Sequence, residues 1–237
     1  MLGLKLGHSV TGLGKTVTNG YSVAFNGTDE SIQVNAVGSS VNVDAGTISL
    51  WVKLNTMGSS GHMYHMRVDA NNLINIFYHA SSNEGRLTYK AGGSAKVASF
   101  TDAIENDGKW HNIVGTWDTS ADEIKLYLDG TLKDTVTGLG TWSGTISLAS
   151  IAQSTQDAGF FNGNVAEVAV FSRVMPIGQL FVANVQPLIL TGMTGLIGYW
   201  ELDDGSGVRA ADSSGKGFSG SLVNTPTWST DVPYKAN

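Results

Sequence analysis

The run Ile124-Lys125-Leu126-Tyr127-Leu128-Asp129-Gly130-Thr131-Leu132-Lys133-Asp134-Thr135-Val136 reads as a β-hairpin. Ile124, Leu126 and Leu128 alternate with Lys125 and Tyr127 at the period of a half-buried strand. Asp129-Gly130 supplies a two-residue turn able to take positive φ, which fixes the register, and Leu132 and Val136 are expected to resume the apolar face. Just upstream, Trp110-His111-Asn112-Ile113-Val114-Gly115-Thr116-Trp117 reads as a central strand, apolar on both faces and opened by the Asp107-Gly108 turn. Thr47-Ile48-Ser49-Leu50-Trp51-Val52 and residues 165–171 have the same character. Tyr21, Val23 and Phe25 share one face, Asn26-Gly27 turns, and Ile32 and Val34 begin the return. Residues 196–202 and Ser221-Leu222-Val223 are further strand candidates. Strands recurring about every 10 residues predict an all-β chain with the spacing of a sandwich or barrel.

One segment departs from this pattern. After Pro176, the residues Ile177, Leu180, Phe181 and Val185 recur at helical spacing until Pro187, which predicts one short helix near 176–186 on the rim of the sandwich. Residues 1–20 lack periodicity and read as an N-terminal arm; residues 21–203 form the sandwich; residues 204–237 form a Gly/Ser-rich C-terminal tail packed on it.

Composition narrows the function classes. The 237 residues include 20 Asp+Glu against 14 Lys+Arg, a net charge of −6, with 30 Gly and no Cys. With no basic cluster to displace counterions, nucleic acid is not an expected partner. Without cysteine there are no disulfides, thiolate zinc sites or cysteine nucleophiles. The start of the chain lacks the apolar core of a signal peptide, and no stretch approaches the ~18 apolar residues of a membrane span, so no membrane insertion is expected.

Catalytic signatures are also missing. Gly14-Lys15-Thr16 imitates the end of a phosphate-binding loop, but Ser9 stands where the motif needs its first glycine. His62 and His65 would point to opposite faces of a regular strand and could not share a metal ion. No Gly-x-Ser-x-Gly elbow occurs. The nearest carboxylate pairs, Glu105 with Asp107 and Glu201 with Asp203, lack a third acid in register and read as turn or solvated groups.

Taken in order, Tyr21-Ser22-Val23-Ala24-Phe25-Asn26-Gly27-Thr28-Asp29-Glu30, Asp107-Gly108-Lys109-Trp110-His111, the 124–130 strand and turn, and Gly163-Asn164-Val165-Ala166-Glu167-Val168-Ala169-Val170-Phe171 resemble the laminin-G-like, concanavalin A-like lectin/glucanase superfamily over roughly residues 21–185. The resemblance implies an all-β, two-sheet antiparallel jelly-roll sandwich. Residues 196–207 with Asp212-Ser213-Ser214-Gly215-Lys216-Gly217 resemble a segment often found before the sandwich in this superfamily, whereas here it follows. That order is similar to laminin-G-like proteins of marine bacteriophage particles.

From this resemblance follow the site expectations. Related sandwiches hold calcium through loop oxygens, which implies a calcium set of Asn26, Asp29, Glu30, Glu167, Gln156 and Asp157, with Asn26 and Glu30 replacing the usual aspartates. Pentraxin-like ligand loops correspond loosely to Asp69, Asn71 and Asn72, and to Gln153, Gln156 and Asp157, departing near Gly159. Trp142 and Trp228, in Gly- or Thr-rich loops, are the candidates for an exposed stacking surface or a subunit contact. The expected function is a non-enzymatic virion surface protein, decorating a capsid or forming an appendage. It would self-associate as a homo-oligomer, contact other virion subunits and touch host glycans. The alternatives are a calcium-dependent carbohydrate-binding module in an extracellular setting and, third, a glycan hydrolase or lyase.

Overall fold

The structure, a computed structural model, describes residues 19–154, 158–182 and 186–234. The strands in chain order are β1 (Ser22–Asn26), β2 (Ser31–Gln33), β3 (Ala45–Leu54), β4 (Gly61–Arg67), β5 (Leu73–His79), β6 (Glu84–Ala91), β7 (Ser94–Phe100), β8 (His111–Asp118) and β9 (Glu123–Leu128). They continue with β10 (Thr131–Thr137), β11 (Leu148–Ile151), β12 (Asn162–Phe171), β13 (Phe181–Val182), β14 (Gln186–Pro187), β15 (Leu196–Trp200), β16 (Arg209–Ala210), β17 (Gly220–Val223) and β18 (Thr227–Ser229). The first sheet runs β10-β9-β8-β3-β12-β1-β18, with β15 also paired to β12; the second runs β16-β17-β2-β11-β4-β5-β6-β7. All these pairings are antiparallel, so the chain forms the expected two-sheet jelly-roll sandwich.

Alternation along each strand builds the core. Ile48, Leu50, Val52 and Leu54 of β3 face Ile74, Ile76, Leu87 and Tyr89 of the second sheet, all fully or almost fully buried. The central position of β8 explains why it is apolar on both faces. Ile113 and Trp117 enter the main core, while Val114 joins a second cluster with Phe171, Met175, Leu180, Leu188, Leu190 and Tyr199. That cluster is formed where the 172–195 excursion folds back over the outer face of the first sheet.

Two local expectations are corrected here. The Asp129-Gly130 hairpin forms, but the register slips between Leu132 and Asp134. The two-residue turn pairs Leu132 with Tyr127 on the outward row, so Leu132 is 48% exposed instead of facing the core, and the bulge that follows returns Val136 to the core row opposite Ile124. The short helix expected near 176–186 forms as a 3-10 helix with narrower bounds, Ile177–Gln179, followed by β13. Gly178 inside the turn disfavours helix by about 1 kcal/mol relative to Ala, and Leu180 ends the turn by entering the outer cluster.

Residues 204–234 contribute strands to both sheets: β16 and β17 extend the second, and β18 pairs with β1 at the edge of the first. Trp200, Leu202 and Ala210 are buried in the main core. The two ends of the described chain meet, since the Ser22 hydroxyl donates to the Asp231 carbonyl at 2.6 Å. Residues 1–18, including Gly14-Lys15-Thr16, lie outside the described residues. No helix among the described residues is long and apolar enough to cross a membrane.

Candidate functional site

At one end of the sandwich, the β1–β2, β3–β4 and β11–β12 connections enclose a cleft of about 360 Å³, lined by Asn26, Gly27, Thr56, Met57, Gly58, Ser59, Phe160 and Asn162. Backbone pairing of Asn26 with Asn162 sets two of its walls. The Asn162 side-chain amide donates to the Thr56 carbonyl at 2.9 Å, and its Oδ1 accepts from Asn55 Nδ2 at 3.2 Å, which pins the third wall. Gly27, at φ +72°, permits the close approach: a Cβ there would lie 2.8 Å from that of Asn162. Glu105 supports the same wall from behind, accepting from the Met57 N–H and from the Tyr78 hydroxyl at 3.1 Å. Burial, aided by Glu105, pushes the Tyr78 hydroxyl up to about 12. Glu105 is thus a loop brace, and Asp107 caps Lys109 and contacts His111.

Of the expected calcium set, Asn26, Asp29 and Glu30 lie together in one turn and Glu167 lies apart from them. Asn26 Oδ1 accepts the N–H groups of Thr28 and Asp29, Asn26 Nδ2 donates to Asp29 Oδ1 at 2.9 Å, and Glu30 Oε2 accepts the Asn26 N–H at 2.8 Å. This is a self-contained Asx turn. Burial, opposed by the Asn26 N–H and reinforced by the Asp29 charge, raises the Glu30 carboxyl above its ordinary range. Glu167 lies five residues along β12 from Asn162, roughly 16 Å away at strand rise. Gln156 and Asp157 lie outside the described residues. Among the described residues no group of three or more His, Cys, Asp or Glu side chains is arranged to hold a metal ion.

Glu167 has a different place. It sits at a bulge of β12 with φ 53°, where pairing to β3 shifts between Ala166 and Ala169 and the other edge passes from β1 to β15. Its side chain is buried, hydrogen-bonded to Asn19 Nδ2 at 2.6 Å and to the Tyr199 hydroxyl. Burial pushes its carboxyl up to about 8, against the pull of these two hydrogen bonds. Nearby, Glu201, Asp203, Asp204 and Ser213 line a recess of about 170 Å³. Asp203 Oδ1 accepts the N–H groups of Gly20 and Tyr21, fastening the start of the described chain.

At the opposite end, three of the expected ligand-loop residues, Asp69, Asn71 and Asn72, come together, whereas Gln153 follows β11 at the cleft end. Asp69 Oδ1 accepts from the N–H groups of Asn71 and Asn72 and from Asn72 Nδ2. Asn72 Oδ1 in turn accepts from Gly92 and Ser143, tying the β4–β5 and β6–β7 turns to the Trp142 loop. Trp142 is half-buried against Tyr89, with ring centroids 5.6 Å apart, and its indole N–H donates to Gly144. Trp228, expected in a loop, is in edge strand β18, half-buried against the core, with its indole N–H on the Gly207 carbonyl. It lies at the sheet edge beside β1.

The outer face of the second sheet holds what the sequence reading missed. A register shift between His62 and Tyr64 sends both Met63 and Tyr64 inward and puts His62 and His65 on the same face, their rings 5.1 Å apart. The opposite-face expectation fails because a bulge adds one residue to the period. Burial lowers His62 to about 4; burial, with His62 and Arg67 nearby, lowers His65 to about 3. Gln153, buried next to this face, has its carbonyl bonded by the Ser150 hydroxyl. The signal that could have found the bulge, two consecutive apolar residues inside an alternating run, was present at Met63-Tyr64.

Residues 26–179 match the concanavalin A-like lectin/glucanases superfamily, and the chain belongs to that family. Among solved structures it is similar to a candidate carbohydrate binding protein from Bacteroides ovatus, at 15% identity and TM-score 0.63, covering 90% of this chain and 60% of that one. It is also similar to the Ruminococcus gnavus IT-sialidase CBM40 bound to alpha2,3 sialyllactose, at 11% identity and TM-score 0.53, covering 70% and 94% of the two chains. A third similarity is to NanB sialidase from Streptococcus pneumoniae, at 15% identity and TM-score 0.57, covering 68% of this chain but 27% of that one. No curated protein matches the sequence. At these identities the likenesses define the fold, a lectin-like sandwich.

Proposed function

We propose that this protein is a non-catalytic carbohydrate-binding module whose glycan site is the loop-end cleft. The observation that carries the reading is the lining itself: the amides and hydroxyls of Asn26, Thr56, Ser59 and Asn162 alternate with the apolar Met57 and Phe160, with no charged side chain among them. Sugars present hydroxyls around apolar C–H faces, and a concave wall with a few placed polar groups matches that chemistry. The carboxylates nearest the cleft are engaged as braces and turn caps, which favours binding over bond cleavage. The test is a glycan array with the purified protein, run in calcium and in chelator. Selective binding that Phe160→Ala abolishes supports the cleft; binding unchanged by that variant, or turnover of any glycan, overturns the reading. Loss of binding in chelator would add calcium as a loop-organising cofactor.

A narrower reading places this module on a virion surface, decorating a capsid or appendage as a homo-oligomer. Its support is the position of the Leu196-Ile197-Gly198-Tyr199-Trp200 segment after the sandwich, the order seen in the phage-like resemblance. Co-sedimentation with phage particles tests it, and a protein that remains with the soluble fraction counts against it.

A further inference from the structure

Asparagine followed by glycine occurs at Asn19-Gly20, Asn26-Gly27 and Asn162-Gly163. In such a pair the backbone nitrogen after the asparagine can close on the side-chain Cγ, because glycine puts no Cβ in the way. Closure develops negative charge on Oδ1, expels Nδ2 as ammonia, and needs water to reopen the ring. Donors on Oδ1, a proton source at Nδ2 and exposure to solvent therefore rank the three positions.

The structure separates them. Asn19 is buried, its Oδ1 has no hydrogen-bond partner among the described residues, and its Nδ2 is held by the buried Glu167. Asn162 Oδ1 receives one amide, Asn55 Nδ2 at 3.2 Å, and its Nδ2 faces the Thr56 carbonyl, which has no proton to give. Gly163 is also clamped between β1 and β3, where a Cβ would strike the Lys53 carbonyl. Asn26, by contrast, is exposed at the end of β1. Its Oδ1 receives two backbone N–H groups, Thr28 at 2.8 Å and Asp29 at 3.2 Å, which is the arrangement of an oxyanion hole. Its Nδ2 lies 2.9 Å from the Asp29 carboxyl, and Gly27 follows at φ +72°.

We propose that Asn26 is a self-modifying position, its amide converted to aspartate and isoaspartate by attack of the Gly27 nitrogen, with the Thr28 and Asp29 N–H groups and the Asp29 carboxyl assisting. The Gly27 N–Cγ bond forms as the Gly27 proton passes to water. The Cγ–Nδ2 bond then breaks, and Nδ2 leaves as ammonia with a proton relayed from water through the Asp29 carboxyl. Water adds to either carbonyl of the five-membered imide. Opening on one side gives aspartate; opening on the other gives isoaspartate, with an extra methylene in the main chain. Either product puts a carboxylate on a cleft lining that otherwise has no charge. The modification stands without the glycan reading; only its effect on binding rests on that reading.

The test is to warm the full chain at mildly alkaline pH, folded or unfolded in guanidinium, and follow the amide-to-acid mass gain over days in tryptic peptides. Fragmentation of the 16–53 peptide separates Asn19 from Asn26, and the 134–173 peptide reports Asn162. In the folded protein Asn26 should convert at least about tenfold faster than the other two, and no slower than in the unfolded chain. Asp29→Ala keeps the backbone N–H and should slow Asn26 about tenfold at an unchanged Tm. Equal rates at the three positions in the fold, slower conversion of Asn26 folded than unfolded, or no slowing by Asp29→Ala overturns the proposal. On the glycan array, aged protein should bind any acidic glycan about tenfold more weakly than fresh protein. Conversion without that loss counts against the cleft as the glycan site, so the two failures are distinguishable.

Discussion

Glu167 shows how burial sets the charge state of a single acidic position. Its carboxyl, raised to about 8 by burial, is protonated through neutral pH and hydrogen-bonds Asn19 and Tyr199 at a backbone φ of 53°. A group whose folded pKa lies above its unfolded value stabilises below the unfolded value, about 4.5, and loses that contribution as pH rises through about 8. Glu167→Gln keeps a carbonyl for Asn19 and an N–H for Tyr199. Urea unfolding midpoints should therefore be similar for both proteins at pH 5, while at pH 9 the variant should be more stable, by an amount on the order of a few kcal/mol. The histidine pair has the opposite sign. His62 and His65 are held neutral by burial, so stability falls as pH drops below 6.5 toward about 4. His62→Phe, which preserves stacking on Phe77, should flatten that acid limb; an unchanged limb would show that His62 does not drive it. His111 runs against its own burial: hydrogen bonds and charge from Asp129 and Asp107 raise it on balance, clamping two Asp-Gly turns to one ring.

Among the elements, β18 is short but has a wide reach. Its three residues cover the β1 edge, and Asp231 just beyond accepts from Lys53 at 2.7 Å and from the Trp110 indole at 3.0 Å. Removing residues 226–237 would open β1 as an unpaired edge and strip the half-buried Trp228 from the core rim. The expected outcome is a lower Tm together with concentration-dependent self-association by size-exclusion chromatography. Trp228→Ala alone should cost about 1–3 kcal/mol, through lost apolar burial, and leave the protein monodisperse relative to wild type. The strand of residues 124–128 was legible because alternation is local, while the shared face of Leu132 and Val136 was not, because the bulge between them, which puts the two on opposite faces, is decided by how β10 lies against β9.

For the molecule as a whole, residues 196–232 are needed to complete both sheets although they follow the region that matches the family. A fragment ending at residue 182 would lack Trp200, Leu202 and Ala210 from the core and the β16–β17 edge. It should show no cooperative thermal transition by near-UV circular dichroism, and co-expression with residues 186–237 should restore one. A fragment that folds alone would show that the C-terminal segment is an addition to the domain. The meeting of Ser22 with Asp231 sets the two ends of the described chain side by side at one edge of the first sheet.

The sequence by itself determined the all-β class, most strand positions in the first sheet, and the Asp-Gly and Asn-Gly turns, because alternation and turn chemistry act over a few residues. Of the candidate site it disclosed Asn26, and of the opposite loop cluster Asp69, Asn71 and Asn72, since side chains that satisfy nearby backbone groups are recognisable from type and spacing. Only the tertiary structure brought Thr56, Ser59, Phe160 and Asn162 into one cleft, set His62 beside Phe77 and Arg86, and buried Glu167 against Asn19 and Tyr199. These juxtapositions join residues tens to more than a hundred positions apart, and burial, the force behind the largest pKa shifts, exists only once distant strands have packed.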